Sequence, residues 1–143
     1  MGVDTLDYYV DFSRRVHELR DDLVALLRRL RAEGRRVAGY GAAAKGSTLI
    51  DFMEIGEDLV EFVVDRNVHK QGLLMPGRHQ PILPAEALVE EQPDDVLLLT
   101  WNFADEILAQ QRAYLERGGR FVVPVPSPVI VDRAEPDRRR ARD

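Results

Sequence analysis

From Asp4 to about Glu33 the apolar residues Leu6, Tyr9, Val10, Phe12, Val16, Leu19, Leu23, Leu26, Leu27 and Leu30 recur at threes and fours. That spacing predicts one long amphipathic helix, which Gly34 ends. The pattern then shifts to short apolar runs that alternate with helical segments. Arg36 to Tyr40 predicts a first strand, Ala43 to Glu54 a helix stopped at Ile55-Gly56, and Leu59 to Asp65 a second strand. Val63 and Val64 are adjacent and β-branched, which suits a strand covered on both faces. Arg66 to Ile82 carries Asn67, Gly72, Pro76, Gly77 and Pro81 and predicts a long loop of the kind that often has a function.

Pro84 predicts the first turn of a short helix reaching about Glu91, and Asp95 to Thr100 a further buried strand. Asn102 is an N-cap candidate for a helix reaching about Arg117 before Gly118-Gly119. Arg120 to Val125 predicts another strand, Pro124, Pro126 and Pro128 an extended exit, and Val129 to Val131 an edge pairing. Strands alternating with helices imply right-handed crossovers and a doubly wound, mostly parallel, Rossmann-like α/β sheet behind a long N-terminal helix. The expected division is residues 1–34 as a linker or packing helix, 35–131 as the α/β domain, and 132–143 as a disordered charged tail.

In such sheets ligands bind at the carboxyl ends of the strands. Here that rim gathers Tyr40 to Ser47, Asp65 to Lys70, Thr100 to Phe103 and Pro124 to Ser127. Gly39-x-Gly41-x-x-Ala44 fits the glycine pattern of a strand-turn-helix that receives a phosphate on its backbone N–H groups. Lys45 and Lys70 are the two lysines of the chain, and Lys45 beside Gly46 and Ser47 suits a phosphate. The order Lys45-Gly46-Ser47 is not that of a Walker loop, which disfavours a kinase or ATPase. Asp65, at the end of the second strand, either accepts ribose hydroxyls or caps its own turn. Arg66 and Asn67 read equally as turn residues or nucleotide readers, His79 as a polar contact, and Trp101 as a stacking group or core residue.

Composition narrows the classes. A chain of 143 residues with 45% hydrophobic content suits one domain, and its net charge of −5 argues against general nucleic-acid binding. It has no cysteine, no secretory leader and no apolar run long enough to cross a membrane, so a cytoplasmic location is expected. The three histidines are too scattered for a metal site, and no Gly-x-Ser-x-Gly elbow supports a hydrolase.

Four blocks in order carry a resemblance. Gly39-Tyr40-Gly41-Ala42-Ala43-Ala44-Lys45-Gly46, Val64-Asp65-Arg66-Asn67-x-x-Lys70-Gln71-Gly72, Pro76-Gly77-x-His79-x-Pro81-Ile82 and Trp101-Asn102-Phe103-Ala104-Asp105-Glu106-Ile107 together resemble the C-terminal domain of bacterial sugar C-methyltransferases, from about Leu6 to Val125. The resemblance implies three cooperating modules: a zinc-binding one, a central S-adenosylmethionine domain with the catalytic residues, and this Rossmann-like domain. The implied substrates are nucleotide-linked deoxysugars of the dTDP type, held between the last two.

With no zinc-ligand cysteines and no room for the methyl-transferring domain, none of the family's catalytic residues has a position here. The implied role is to hold substrate in deoxysugar biosynthesis, with Gly39, Tyr40, Gly41, Ala44, Lys45, Gly46 and Ser47 at a phosphate. Asp65, Arg66, Asn67 and Lys70 would lie near nucleotide or sugar, and His79, Trp101 and Asn102 at the rim. No cofactor is expected on this chain alone; S-adenosylmethionine belongs to a catalytic domain in cis or in trans, to which the first helix is the linker. The alternatives are a small NAD(P)-binding oxidoreductase or dinucleotide sensor, drawn from the glycine pattern and Asp65, and a non-catalytic module whose long helix forms a homodimer.

Overall fold

Helix α1 runs from Thr5 to Ala32 and turns into the sheet at Gly34, whose φ of +78° is open to glycine. The computed structural model describes residues 5–42, 50, 54–56, 58–75, 80–124 and 128–132, with side chains from residue 14 onward except that of Asn102. The strands are β1 (Val37–Tyr40), β2 (Val63–Asp65), β3 (Ile82–Pro84), β4 (Asp95–Leu98), β5 (Arg120–Val123) and β6 (Val129–Val131). They form one six-stranded sheet in the order β3-β2-β1-β4-β5-β6. Five strands are parallel; β6 runs antiparallel to β5 at the edge, pairing Val122 with Ile130.

Alternation along the strands divides the core into two layers. Val37, Val63, Leu97 and Val122 face a layer closed by Leu23, Leu27 and Leu30 of α1 with Ile50, Ile55 and Met75. Ala38, Tyr40, Val64, Leu98 and Phe121 face the other, where helices α2 (Ala87–Glu91), α3 (Ala104–Gln110) and α4 (Arg112–Glu116) bring Leu88, Ile107, Leu108, Tyr114 and Leu115. Both β1 and β4 are buried along their whole length, as a sheet covered on two faces requires. Among the described side chains of α1, Leu23, Leu27 and Leu30 are the fully buried ones; Val16 and Leu19 are half-buried.

Several expectations change. The second strand is shorter than its apolar run, beginning at Val63 rather than Leu59, because Leu59 and Val60 bond back to Gly56 in a turn. Ile82-Leu83-Pro84 forms the parallel edge strand β3, so Pro84 ends a strand instead of starting a helix. An edge tolerates proline because the outward N–H has no ladder partner to lose. The span before it is organised: Gly72 N donates to Ile82 O, Ile82 N to Leu73 O, and the fully buried Gln80 donates from Nε2 to Ile55 O. The helix expected after Asn102 divides into a 3-10 turn (Trp101–Phe103), α3 and α4, and Phe103, one residue later, holds the N-cap position of α3. The expected helix from Ala43 and the charged tail fall almost wholly outside the described residues.

Candidate functional site

In this strand order the winding of the sheet reverses at the neighbouring parallel strands β1 and β4, the switch point beside whose carboxyl ends ligands bind in such sheets. Gly41 makes the turn out of β1 with φ +101°, a conformation that favours glycine. A Cβ at Gly41 would also lie 2.6 Å from Thr100 Cγ2, so the glycine lets the two strand ends close on each other. Gly39 has a different task. A Cβ there would press Val63 and Leu99 at 3.2 and 3.3 Å, which places this glycine in the packing of the sheet against its α1-side layer.

Asp65 holds the crevice together. Its Oδ2 accepts the N–H of Ala42 at 2.7 Å and its Oδ1 that of Asn67 at 2.7 Å, so one carboxylate ties the glycine turn to the loop after β2. Lys70 closes the same joint from the other direction, donating from Nζ to Ala42 O at 3.0 Å, while Gln71 Nε2 donates to Asp65 O. Asn67 Oδ1 accepts the N–H of His69, completing a turn that presents Arg66 outward. Arg66 is exposed and forms no ion pair within 4 Å among the described residues.

The result is an open cleft of about 440 Å³ whose floor is Tyr40, Gly41 and Thr100, with Asp65, Arg66, Asn67 and Lys70 on one wall. Phe103, Glu106, Ile107 and Gln110 form the other. Tyr40 is buried, with its ring edge-on to Phe121 at 6.4 Å, and its hydroxyl has no hydrogen-bond partner among the described residues. Burial pushes its pKa up; the nearby Gln111 side chain and the Arg66 charge oppose the shift, the former without reaching bonding geometry. Thr100 Oγ1 is likewise buried without a partner among the described residues. Two unsatisfied polar atoms on the floor of one crevice are a recurrent mark of a place meant for something else.

Of the residues singled out in the sequence, the cleft unites Tyr40, Gly41, Asp65, Arg66, Asn67 and Lys70. Gly39 lies behind it in the sheet, and Trp101 packs against the layer below the α3 side. Ala44, Lys45, Gly46, Ser47 and His79 lie outside the described residues, and Asn102 is described in its backbone alone. Glu106, Ile107 and Gln110 were not anticipated. The signal was present in the run from Phe103, where intervals of three and four put these residues on one helical face beyond a strand end. Among the described residues no group of three or more His, Asp or Glu is placed to hold a metal, and no helix is long and apolar enough to cross a membrane.

Comparison with known proteins gives a consistent result. A family model described as the C-methyltransferase C-terminal domain matches residues 1–126. The C-methyltransferase NovU of Streptomyces niveus is 41% identical over 130 residues, which is 91% of this chain and 31% of that protein. The chain therefore spans about a third of the curated relative it matches.

Proposed function

The chain belongs to the C-methyltransferase C-terminal domain family, and on that footing we propose that its cleft holds a nucleotide-linked deoxysugar for methylation by a catalytic domain elsewhere in the protein. The observation that carries this reading is the gathering of Arg66, Lys70, Asn67 and the unpartnered Tyr40 hydroxyl around the switch point of the sheet. Arg66, exposed and without an ion pair among the described residues, suits an anion, and hydroxyl and amide groups meet a sugar. Gly41, Ala44, Lys45, Gly46 and Ser47 complete the phosphate end. S-adenosylmethionine would supply the methyl group on the catalytic domain.

Among the described residues, the acid placed for the ribose of such a cofactor is already engaged. Both Asp65 oxygens already accept backbone N–H groups, and Thr100 fills the space that Gly41 opens. The same geometry weighs against the dinucleotide-binding alternative. Val68 and Phe103, each more than half exposed, give the rim an apolar surface suited to another part of the protein.

Calorimetric titration of the full chain with dTDP, a dTDP-linked sugar, S-adenosylmethionine and NADH tests the reading. Saturable binding of the two dTDP ligands is expected, weakened about tenfold or more by Arg66→Ala, the loss expected for one charge-assisted contact. Binding of NADH without dTDP would replace the reading with the dinucleotide one, and binding of neither would remove it.

A further inference from the structure

Ala42 is the first residue past Gly41, and it is buried. Both polar groups of its backbone are met by side chains from the loop after β2: its N–H donates to Asp65 Oδ2 at 2.7 Å, and its carbonyl accepts from Lys70 Nζ at 3.0 Å. A trans peptide is planar, so the first bond orients the plane before Ala42 and the second the plane after it. With both planes held, the φ and ψ of Ala42 are set from outside the turn. Gly41 is held as well, because its N–H donates to Val64 O at 2.8 Å.

The loop is folded to deliver these two side chains. Asp65 Oδ1 accepts the N–H of Asn67, Asn67 Oδ1 accepts that of His69, and the Lys70 N–H donates to Asn67 O at 3.0 Å. Arg66 to His69 are exposed in consequence, whereas Lys70 is half-buried and reaches back to the β1 turn.

Two cations border the cleft, and they are not equally available. Drawing Lys70 away onto an anion would strip the carbonyl of a buried residue of its donor, and a buried polar group left unmet costs more than an ordinary hydrogen bond returns. Arg66 is exposed, forms no ion pair among the described residues, and meets an anion with no such loss.

We propose that Asp65 and Lys70 are positioning residues, which act on a bound ligand through Ala42, and that the charge of the ligand's phosphates falls to Arg66. The proposal rests on the reading of the cleft as a nucleotide-sugar site. It turns two expected ligand contacts into one support that fixes the glycine turn before the ligand arrives.

Titration of the full chain and its Asp65→Asn, Lys70→Met and double variants with dTDP and with inorganic pyrophosphate tests it, alongside nitrogen-resolved NMR of the lysine ammonium and arginine Nε signals. The chain has two lysines, Lys45 and Lys70, so the ammonium signals are simple to assign. Asp65→Asn removes a negative charge from the cleft wall, which by its field alone would strengthen anion binding. The expected result is the opposite: dTDP is weakened about fivefold in either single variant, the worth of one hydrogen bond, and no further in the double one. Pyrophosphate should shift the Arg66 Nε signal and leave the Lys70 ammonium signal unmoved. In the free protein, the Ala42 amide should exchange with solvent faster in both single variants. Tighter binding by Asp65→Asn, additive losses, or a Lys70 ammonium signal that moves with pyrophosphate would overturn the proposal, while binding by the unsubstituted chain would leave the cleft reading standing. If Asp65→Asn does not fold, Lys70→Met and the ammonium signal of the unsubstituted chain decide. Failure of the unsubstituted chain to bind either probe would remove the cleft reading and this one with it.

Discussion

The two ends of the sheet are built to opposite rules. At the amino end, the fully buried Asp95 accepts from Arg35 Nε at 2.6 Å and from Arg120 Nε at 2.7 Å. Beside it the Arg36 N–H donates to Asp94 Oδ2, and the Tyr114 hydroxyl donates to Pro93 O at 2.6 Å. At the carboxyl end, Tyr40 and Thr100 keep buried polar atoms without partners and Arg66 stands without an ion pair among the described residues. The amino end pairs its charged groups with one another, while Gln80 and Gln92, in the segments leading into β3 and β4, each keep a buried Oε1 without a partner among the described residues; the carboxyl end leaves two hydroxyls and a cation available. Where local rules are broken in an otherwise consistent fold, function is the usual reason.

The contrast is open to test, and its largest consequence is at Asp95. Asp95→Ala leaves two guanidinium groups, each under a third exposed, facing one another without their shared acceptor. Removing one partner of a buried ion pair costs about 3 kcal/mol. Chemical denaturation should show that loss in full while dTDP binding by the remaining folded protein is unchanged. A loss below about 1 kcal/mol would mean that water reaches the cluster and that the amino end is not the stabilised one.

Gly41→Ala probes the crevice itself. The variant meets both a left-handed φ and Thr100 Cγ2, and a destabilisation of about 2 kcal/mol is expected. Gly34→Ala supplies the control, because Gly34 has a positive φ with no atom near its absent Cβ, and it should cost about 1 kcal/mol. Thermal unfolding of the two variants separates close approach from backbone strain. Equal losses would show that the contact with Thr100 yields easily.

Most of the architecture was legible because the sheet is buried on both faces. Val63-Val64, the run from Asp95 and the run from Arg120 have no polar side to hide, and each emerges as a central strand. The β3 edge was not legible. Its three residues, Ile82-Leu83-Pro84, follow a turn-rich span and end in proline, so local preference pointed to a loop and a helix start while pairing with β2 decided otherwise. The site divided along the same line. Asp65, Arg66, Asn67 and Lys70 follow directly from the carboxyl-end rule, whereas Glu106, Ile107 and Gln110 reach the cleft only through the way α3 folds back over β4. Asp65 shows the limit most clearly: its position left ribose binding and a cap on its own turn equally open, and the bonds to Ala42 and Asn67 show that it fastens the two loops.

The smallest effect gives the sharpest form of the comparison, because one substitution at the two ends should change stability in opposite directions. Tyr114→Phe deletes a buried donor and leaves Pro93 O unsatisfied, so a loss of about 1.5 kcal/mol is expected. Tyr40→Phe deletes a buried hydroxyl that has no partner, so a gain of about 0.5 kcal/mol is expected, together with weaker dTDP binding if that hydroxyl serves the ligand. Alkaline titration adds a second readout. Burial raises the pKa of both phenols, so each keeps its proton to a higher pH in the native state than in the unfolded chain, where tyrosines ionise near pH ~10. The unfolded state then binds fewer protons, and stability present below that pH is lost as pH rises above it. Each Phe variant should flatten this alkaline loss by one proton's worth. Tyr40→Phe is therefore the more stable protein at neutral pH and increasingly so above pH ~10. Denaturation midpoints measured at pH 7 and pH 10.5 decide the point: if Tyr40→Phe loses stability at pH 7 as Tyr114→Phe does, the Tyr40 hydroxyl is already satisfied, and the carboxyl end ties up its phenol as the amino end does.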